Sequence, residues 1–196
     1  MAQVVLLAGP SGSGKSRVAR LSGCPQLALD DFYYDGDHPG LPHALGIVDW
    51  DDPGSWDADA AMAAIVALCE SGRAEVPTYD ISTSRRTGSR RLELDGAPCF
   101  VAEGLFAPDV VARCRAAGVL GEALYLDRPR TLTLLLRFVR DVREHRKPLG
   151  VLIRRGLALW RAEPQVRADA LAAGCRPVSL REALRIVAAR MQTSSS

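Results

Sequence analysis

Apolar positions in this chain fall into short unbroken runs separated by longer stretches of helical period. Val4-Val5-Leu6-Leu7-Ala8 is the first run, and it is too short and too continuous for anything but a strand covered on both faces. Gln26-Leu27-Ala28-Leu29, Cys99-Phe100-Val101-Ala102 and Ala123-Leu124-Tyr125-Leu126 have the same character and predict further buried strands. Between them, Ser16 to Leu21, Asp57 to Ser71, Pro108 to Ala117, Thr131 to Arg146, Pro148 to Trp160 and Val178 to Met191 predict helices. Ser179 and Glu182 are spaced as a capping box for the last of these. The segment Ala168–Gly174 reads equally as a strand or a helix end. Val76–Asp80 and the alternating Arg90-Arg91-Leu92-Glu93-Leu94, with the polar Ser82–Gly88 between them as a turn, predict a small hairpin over about 76–96, outside the main sheet. Strands alternating with helices make this an α/β chain with a mainly parallel sheet. Residues 35–57 have no period and predict a long loop, a kind that in compact domains is usually functional.

At 196 residues the chain is long enough for one domain with a sizeable core, taken as 1–192 with a frayed tail at 193–196. A net charge of +2 gives no reason to invoke nucleic acid or a membrane surface. No window is long and apolar enough to span a bilayer. Five cysteines without C-x-x-C spacing predict buried thiols in a reducing compartment, which makes the cytoplasm the expected location.

The chemistry begins immediately after the first strand. Gly9-Pro10-Ser11-Gly12-Ser13-Gly14-Lys15-Ser16 fits G-x-x-x-x-G-K-[ST], preceded by a strand and followed by a helix as a phosphate-cradling P-loop requires. Glycines let successive N–H groups turn inward, and the helix start adds partial positive charge. Gly9, Ser11, Gly12, Ser13, Gly14, Lys15 and Ser16 are therefore the expected ATP-binding set, with the Ser16 hydroxyl on Mg²⁺. Lys15 is one of only two lysines in an arginine-rich chain. Asp30 and Asp31 follow the second strand, where ligands of open α/β sheets bind, although Asp-Asp is also a common turn or cap. Glu103 ends the Cys99–Ala102 strand and is placed to hold Mg²⁺ or its water, directly or through Ser16. In Asp49-Trp50-Asp51-Asp52-Pro53 the carboxylates could bind sugar hydroxyls under a stacked ring. A tryptophan that simply pins the loop is the equal alternative. Arg137, Arg140, Arg143 and Arg146 recur every three residues on the 131–146 helix, as a solvated face or as a lid over about 130–147 that closes on the phosphates.

Taken in order, these motifs resemble the uridine kinase (uridine/cytidine kinase) family of P-loop kinases, related to phosphoribulokinase. Asp30-Asp31-Phe32-Tyr33 matches the family's D-x-F-Y. Trp50-Asp51-Asp52-Pro53 with Trp56-Asp57 resembles its F-D-H-P…F-D, and Pro77-Thr78-Tyr79-Asp80 its P-x-Y-D. Ala102-Glu103-Gly104 resembles its E-G, and Arg137-Phe138-Val139-Arg140-Asp141 the lid's R-x-x-R-D. The resemblance implies a three-layer α/β/α fold with a five-stranded parallel sheet, a hairpin over the nucleoside and a helical lid. It implies Asp30 as the base that takes the 5′-hydroxyl proton, Asp51 on the ribose, Tyr33 and Tyr79 beside the nucleoside, and Glu103 near both metal and acceptor. Lys15, Arg137 and Arg140 would act on the transferring phosphoryl group, Arg140 also on the acceptor, and Arg146 on the nucleotide. The chain departs from the family in two places: Ser84, followed by Arg85 and Arg86, stands where a histidine helps read the pyrimidine, and His145-Arg146-Lys147 replaces R-G-R. Ser84 and Arg86 are thus the expected acceptor-reading pair. The expected activity is ATP-dependent phosphorylation of a uridine- or cytidine-like 5′-hydroxyl by a small-molecule kinase, with homo-oligomerisation left open. Two alternatives stay beside it, a kinase of pantothenate or a sugar phosphate and a catalytically silent nucleotide-binding regulator.

Overall fold

The computed structural model describes residues 1–10, 12–44, 46–129, 131 and 163–192. Strand β1 (Gln3–Ala8) is buried from Val4 onward, as its unbroken apolar run requires. It feeds the P-loop and then helix α1 (Lys15–Ser22), which Gly23 ends in the left-handed conformation. Strand β2 (Gln26–Ala28) is shorter than expected, because Leu29 already opens a 3₁₀ turn over Leu29–Phe32 that carries both aspartates.

The loop that follows is more ordered than its composition suggests. It contains a two-residue ribbon, β3 (His43–Ala44) against β4 (Ile47–Val48), and a 3₁₀ turn at Pro53–Ser55. Helix α2 (Ala58–Ser71) starts where Asp57 accepts the Ala60 N–H and stops at Gly72. Strands β5 (Arg73–Asp80) and β6 (Arg85–Glu93) form the expected antiparallel hairpin, a sheet of their own. Its turn is shorter than Ser82–Gly88. The Asp80 carboxylate collects the Ser82 N–H and the Ser82 and Thr83 hydroxyls, so pairing resumes at Arg85.

Strand β7 (Cys99–Glu103) precedes a 3₁₀ turn at Ala107–Val110 and helix α3 (Val111–Ala116), so the expected Pro108–Ala117 helix is α-helical only in its second half. Strand β8 (Leu120–Leu126) follows. Residues 163–172 form helix α4, which decides Ala168–Gly174 as a helix end turning at Gly174. Strand β9 (Arg176–Val178) and helix α5 (Leu180–Gln192) close the chain. Val178 therefore belongs to a strand, and the helix begins after Ser179, whose Oγ accepts the Glu182 N–H at 3.2 Å. The Glu182 carboxylate turns to Arg176, so only half of the capping box forms. The segments expected as the lid helix, as the 148–160 helix and as the tail lie outside the described residues.

The main sheet is five-stranded and parallel, in the order β2-β7-β1-β8-β9. Its side chains alternate between two cores. Val4, Leu6, Phe100 and Tyr125 meet α2 and α3 through Ile65, Leu68 and Cys114. Val5, Leu7, Val101 and Leu126 meet α1 and α5 through Val18, Ala19, Ala183 and Val187. This is the three-layer α/β/α arrangement, with loops gathered at the carboxyl ends of the strands. The five cysteines are buried free thiols, as expected.

Candidate active site

The P-loop leaves β1 in the middle of the sheet. Gly9, Gly12 and Gly14 have φ of 148°, 85° and 98°, values that side-chain-bearing residues rarely adopt. Gly9 is also sterically required, since a Cβ there would lie 3.0 Å from Ser13 Oγ and 3.3 Å from Leu126. Lys15 is 8% exposed, and its ammonium donates to the carbonyls of Gly9 (2.8 Å) and Pro10 (3.3 Å). Ser13 Oγ is fully buried and, alone among the buried polar side-chain atoms of the described residues, has no hydrogen-bond partner.

Leu7 of β1 and Ala28 of β2 flank Glu103 in register, so the ends of three neighbouring strands converge on this carboxylate. Ser16 Oγ donates to Glu103 Oε1 at 2.6 Å, and Gln26 Nε2 donates to the same oxygen at 2.9 Å. Glu103 is 7% exposed and Ser16 is exposed, so the pair runs from the sheet to the open mouth of the loop. These are oxygen donors only, which suits a hard divalent cation. Among the described residues no group of three His, Cys, Asp or Glu side chains could hold a metal by itself. A Mg²⁺ bound here would take its remaining ligands from water and phosphate, as this ion usually does.

Asp30 lies on the far side of Glu103. Its Oδ1 accepts the Leu105 N–H at 3.4 Å, a long bond. Gly104 makes this approach feasible, because a Cβ there would sit 2.9 Å from Asp30 Oδ1 and 2.8 Å from Leu29 Cβ. Asp31 is half-buried and its carboxyl is pushed above its usual range, chiefly by burial. Arg90 of the hairpin, 4.0 Å away, works in the opposite direction.

The hairpin and loop form the outer wall. The Tyr33 ring meets Trp50 edge-on (centroids 5.5 Å), Tyr79 at 5.8 Å and Phe106 at 5.9 Å. Its hydroxyl donates to the Trp50 carbonyl, and the Tyr79 hydroxyl to the Tyr34 carbonyl. Trp56 is the loop pin, donating from Nε1 to the Leu29 carbonyl at 2.7 Å just ahead of Asp30. Asp51, next to Trp50, is exposed, and its N–H donates to Asp49.

Ser84 has φ of 52° in the hairpin turn, and its carbonyl accepts the Gly36 N–H at 2.7 Å. Arg86 fastens hairpin to loop. Its Nε donates to the Tyr33 carbonyl (3.2 Å), its Nη2 pairs with Asp57 (3.5 Å), and its main-chain N–H donates to Asp35. These contacts tie the expected Tyr33, Tyr79, Ser84 and Arg86 to one another and to the 34–36 segment, while Asp51 stands exposed beside Trp50. Ser11, Arg137, Arg140 and Arg146 lie outside the described residues.

Four neighbours of the site have no role of their own in the sequence reading. Gln26 could have been suspected as an amide at the mouth of an apolar strand, and Gly104 as the small half of Glu-Gly. Arg90 is one of many arginines and carries no signal of its own. The Arg128 guanidinium, just past β8, approaches within 3.9 Å of where a Gly14 Cβ would stand, beside Leu180.

No family model matches the chain. It is 27% identical over 165 residues to a uridine kinase of Macrococcus caseolyticus (strain JCSC5402), covering 81% of this chain and 78% of that protein. A uridine kinase of Staphylococcus aureus (strain JH9) is 29% identical over 168 residues, covering 81% and 77%. Among solved structures, a candidate fructose transport system kinase from Silicibacter sp. TM1040 superposes with a TM-score of 0.58 at 18% identity, covering 91% of this chain and 87% of that one. Phosphoribulokinase from Rhodobacter spheroides gives 0.52 at 12% identity, covering 86% and 67%. The fold is that of the P-loop kinases, and the likeness to uridine kinases read from the motifs extends over four-fifths of the chain.

Proposed function

We propose that this chain is an ATP-dependent kinase that phosphorylates a primary hydroxyl, with a uridine- or cytidine-like nucleoside accepting at its 5′ position. The observation that carries this reading is the line from Ser16 to Glu103 to Gly104 and Asp30, which puts a phosphate loop and a carboxylate at the same end of adjacent parallel strands. Phosphoryl transfer needs mainly positioning and neutralisation of charge, and these residues supply both. Lys15 and the start of α1 put positive charge beside the loop. Ser16 and Glu103 would hold Mg²⁺, which when bound neutralises charge on the phosphate oxygens. Asp30 would hold the acceptor hydroxyl by a hydrogen bond and take its proton late in the transfer. The wall of Tyr33, Trp50 and Tyr79 offers ring faces and edges to a nucleobase, with Asp51 beside it for the sugar. Arg137 and Arg140 are assigned to the phosphoryl group and Arg146 to the nucleotide on motif resemblance alone.

A second reading is favoured by Arg90, whose guanidinium sits near the paired aspartates. A cation there suits an acceptor carrying its own carboxylate or phosphate, such as pantothenate or a sugar phosphate. ADP release measured over nucleosides, pantothenate and sugar phosphates separates the readings. Turnover with uridine or cytidine supports the first, turnover only with anionic acceptors supports the second, and ATP binding without transfer to any acceptor overturns both.

A further inference from the structure

Cys24 and Cys99 take no part in the site above. Cys24 follows the glycine cap of α1, and Cys99 opens β7. The parallel register Gln26↔Val101 and Ala28↔Glu103, carried two residues back, sets Cys24 beside Cys99. The Val101 N–H donates to the Pro25 carbonyl at 2.9 Å, so the chains stay paired to that point. Parallel neighbours lie about 4.8 Å apart, inside the Cα separation of about 4.4–6.8 Å that a disulfide bridges. The two sulfurs are 3.9 Å apart, and Cys24 Sγ also approaches the Cys99 carbonyl at 3.4 Å.

Burial alone would leave such a pair inert. Cys99 is 1% exposed, but Cys24, at 6%, forms part of the lining of a cavity of about 580 Å³ beside α1. Arg17 and Arg20, one helical turn apart and exposed, flank that cavity with Gln26. Among the described residues neither arginine has an ion-pair partner, so the entrance is cationic. The hydrogen bond between the thiols keeps Cys24 protonated and holds Cys99 below the usual thiol range, with Arg190 assisting.

We propose that Cys24 and Cys99 are a disulfide-forming pair whose oxidant is a small anionic disulfide admitted through the arginine-flanked cavity. In the first step the Cys24 thiol passes its proton to the thiolate form of Cys99, the Cys24 sulfur attacks one sulfur of the incoming disulfide, and one small thiolate leaves. Cys99 then gives its proton to the small thiolate already released and attacks the Cys24 sulfur of the mixed disulfide, expelling the second thiolate. The two protein thiols are oxidised by two electrons and the small disulfide is reduced to two thiols. Nothing in this step depends on the proposed kinase reaction.

The test treats the reduced full-length protein with oxidised glutathione, neutral 2-hydroxyethyl disulfide and cationic cystamine at equal concentrations, followed by alkylation and non-reducing peptide mapping. The expected product is a Cys24–Cys99 linked peptide, formed before Cys69, Cys114 or Cys175 reacts and fastest, relative to each reagent's rate with a free model thiol, for glutathione. C99S, which lacks both the proton acceptor and the resolving thiol, should form a glutathione adduct on Cys24 more slowly and hold it without going on to a linked peptide. R17A/R20A should slow the glutathione reaction roughly tenfold while leaving hydroxyethyl disulfide unchanged. If C99S does not fold, early quenching of the wild-type reaction captures the same mixed disulfide. First reaction at another cysteine, or no linked peptide from folded protein, overturns the proposal. Equal relative rates for the anionic and cationic reagents overturn the role of the cavity.

Discussion

Replacing Gly104 by alanine tests the placement of Asp30 with a single methyl group. The added Cβ would lie 2.8 Å from Leu29 Cβ and 2.9 Å from Asp30 Oδ1, where ordinary contact is several tenths of an ångström longer. Leu29 is fully buried and its carbonyl is held by Trp56, so it has little room to yield. Overpacking of this kind costs about 1–3 kcal/mol. Alanine recovers about 0.4–1 kcal/mol through a less flexible unfolded chain, because Gly104 has no positive φ. The net expectation is a loss of about 1–2 kcal/mol, read as a lower urea midpoint with an unchanged slope. Asp30 is the softer of the two neighbours and should move, and a displacement approaching 1 Å costs on the order of a hundredfold in rate. Steady-state kinetics should therefore show kcat falling far more than the KM for ATP rises, since the P-loop lies on the other side of Glu103. A G104A protein with wild-type stability and turnover would refute the reasoning.

The other expectations concern neighbouring groups. D30N should lower kcat by about 10²–10⁴-fold while ATP affinity, measured by calorimetry, stays near wild type; near-normal kcat removes Asp30 from the chemistry. E103Q should raise the Mg²⁺ concentration needed for half-maximal activity, and an unchanged requirement would take Glu103 out of the metal site. W56F leaves the Leu29 carbonyl without its donor and should cost about 1–3 kcal/mol by denaturant unfolding, with an unaltered midpoint counting against it. Asp31 is raised by burial, so the folded state binds its proton more readily than the unfolded chain, and the charged form opposes folding above the raised value. D31N should therefore be the more stable protein at pH 7. Its advantage should vanish as pH falls below the ordinary aspartate range, and a gap that widens towards acid would contradict this sign.

The core strands and the phosphate loop were readable because each is a local signal. An apolar run such as Val4–Ala8 has one stable placement, and a glycine-spaced loop between strand and helix has one common use. Strand β9 was not readable, since Arg176-Pro177-Val178 is short, half polar and carries a proline that only an edge position tolerates. The hairpin turn is a few residues shorter than its polar run suggests, because Asp80 captures Ser82 and Thr83 through side-chain bonds that no hydrophobic period records. Tyr33, Tyr79 and Arg86 could be suspected singly. Their meeting depends on Arg86 reaching across more than fifty residues to the Tyr33 carbonyl, a contact specified by the tertiary fold alone.

The order of strands in the sheet has a consequence for how the protein is made. Strand β1 is made before every strand it shares the sheet with, and its partners are Val4↔Phe100 on one side and Leu6↔Ala123 on the other. The nucleotide-gripping turn is thus synthesised about a hundred residues before either strand that flanks β1, although α1 and α2, which cover its two faces, are made sooner. Contacts of such long range slow folding and leave the nascent segment attractive to chaperones. Synthesis of the whole sheet ends only with Arg176–Val178, so a truncation that spares every motif of the first hundred and thirty residues would still leave one flank of β8 open to pairing with another molecule.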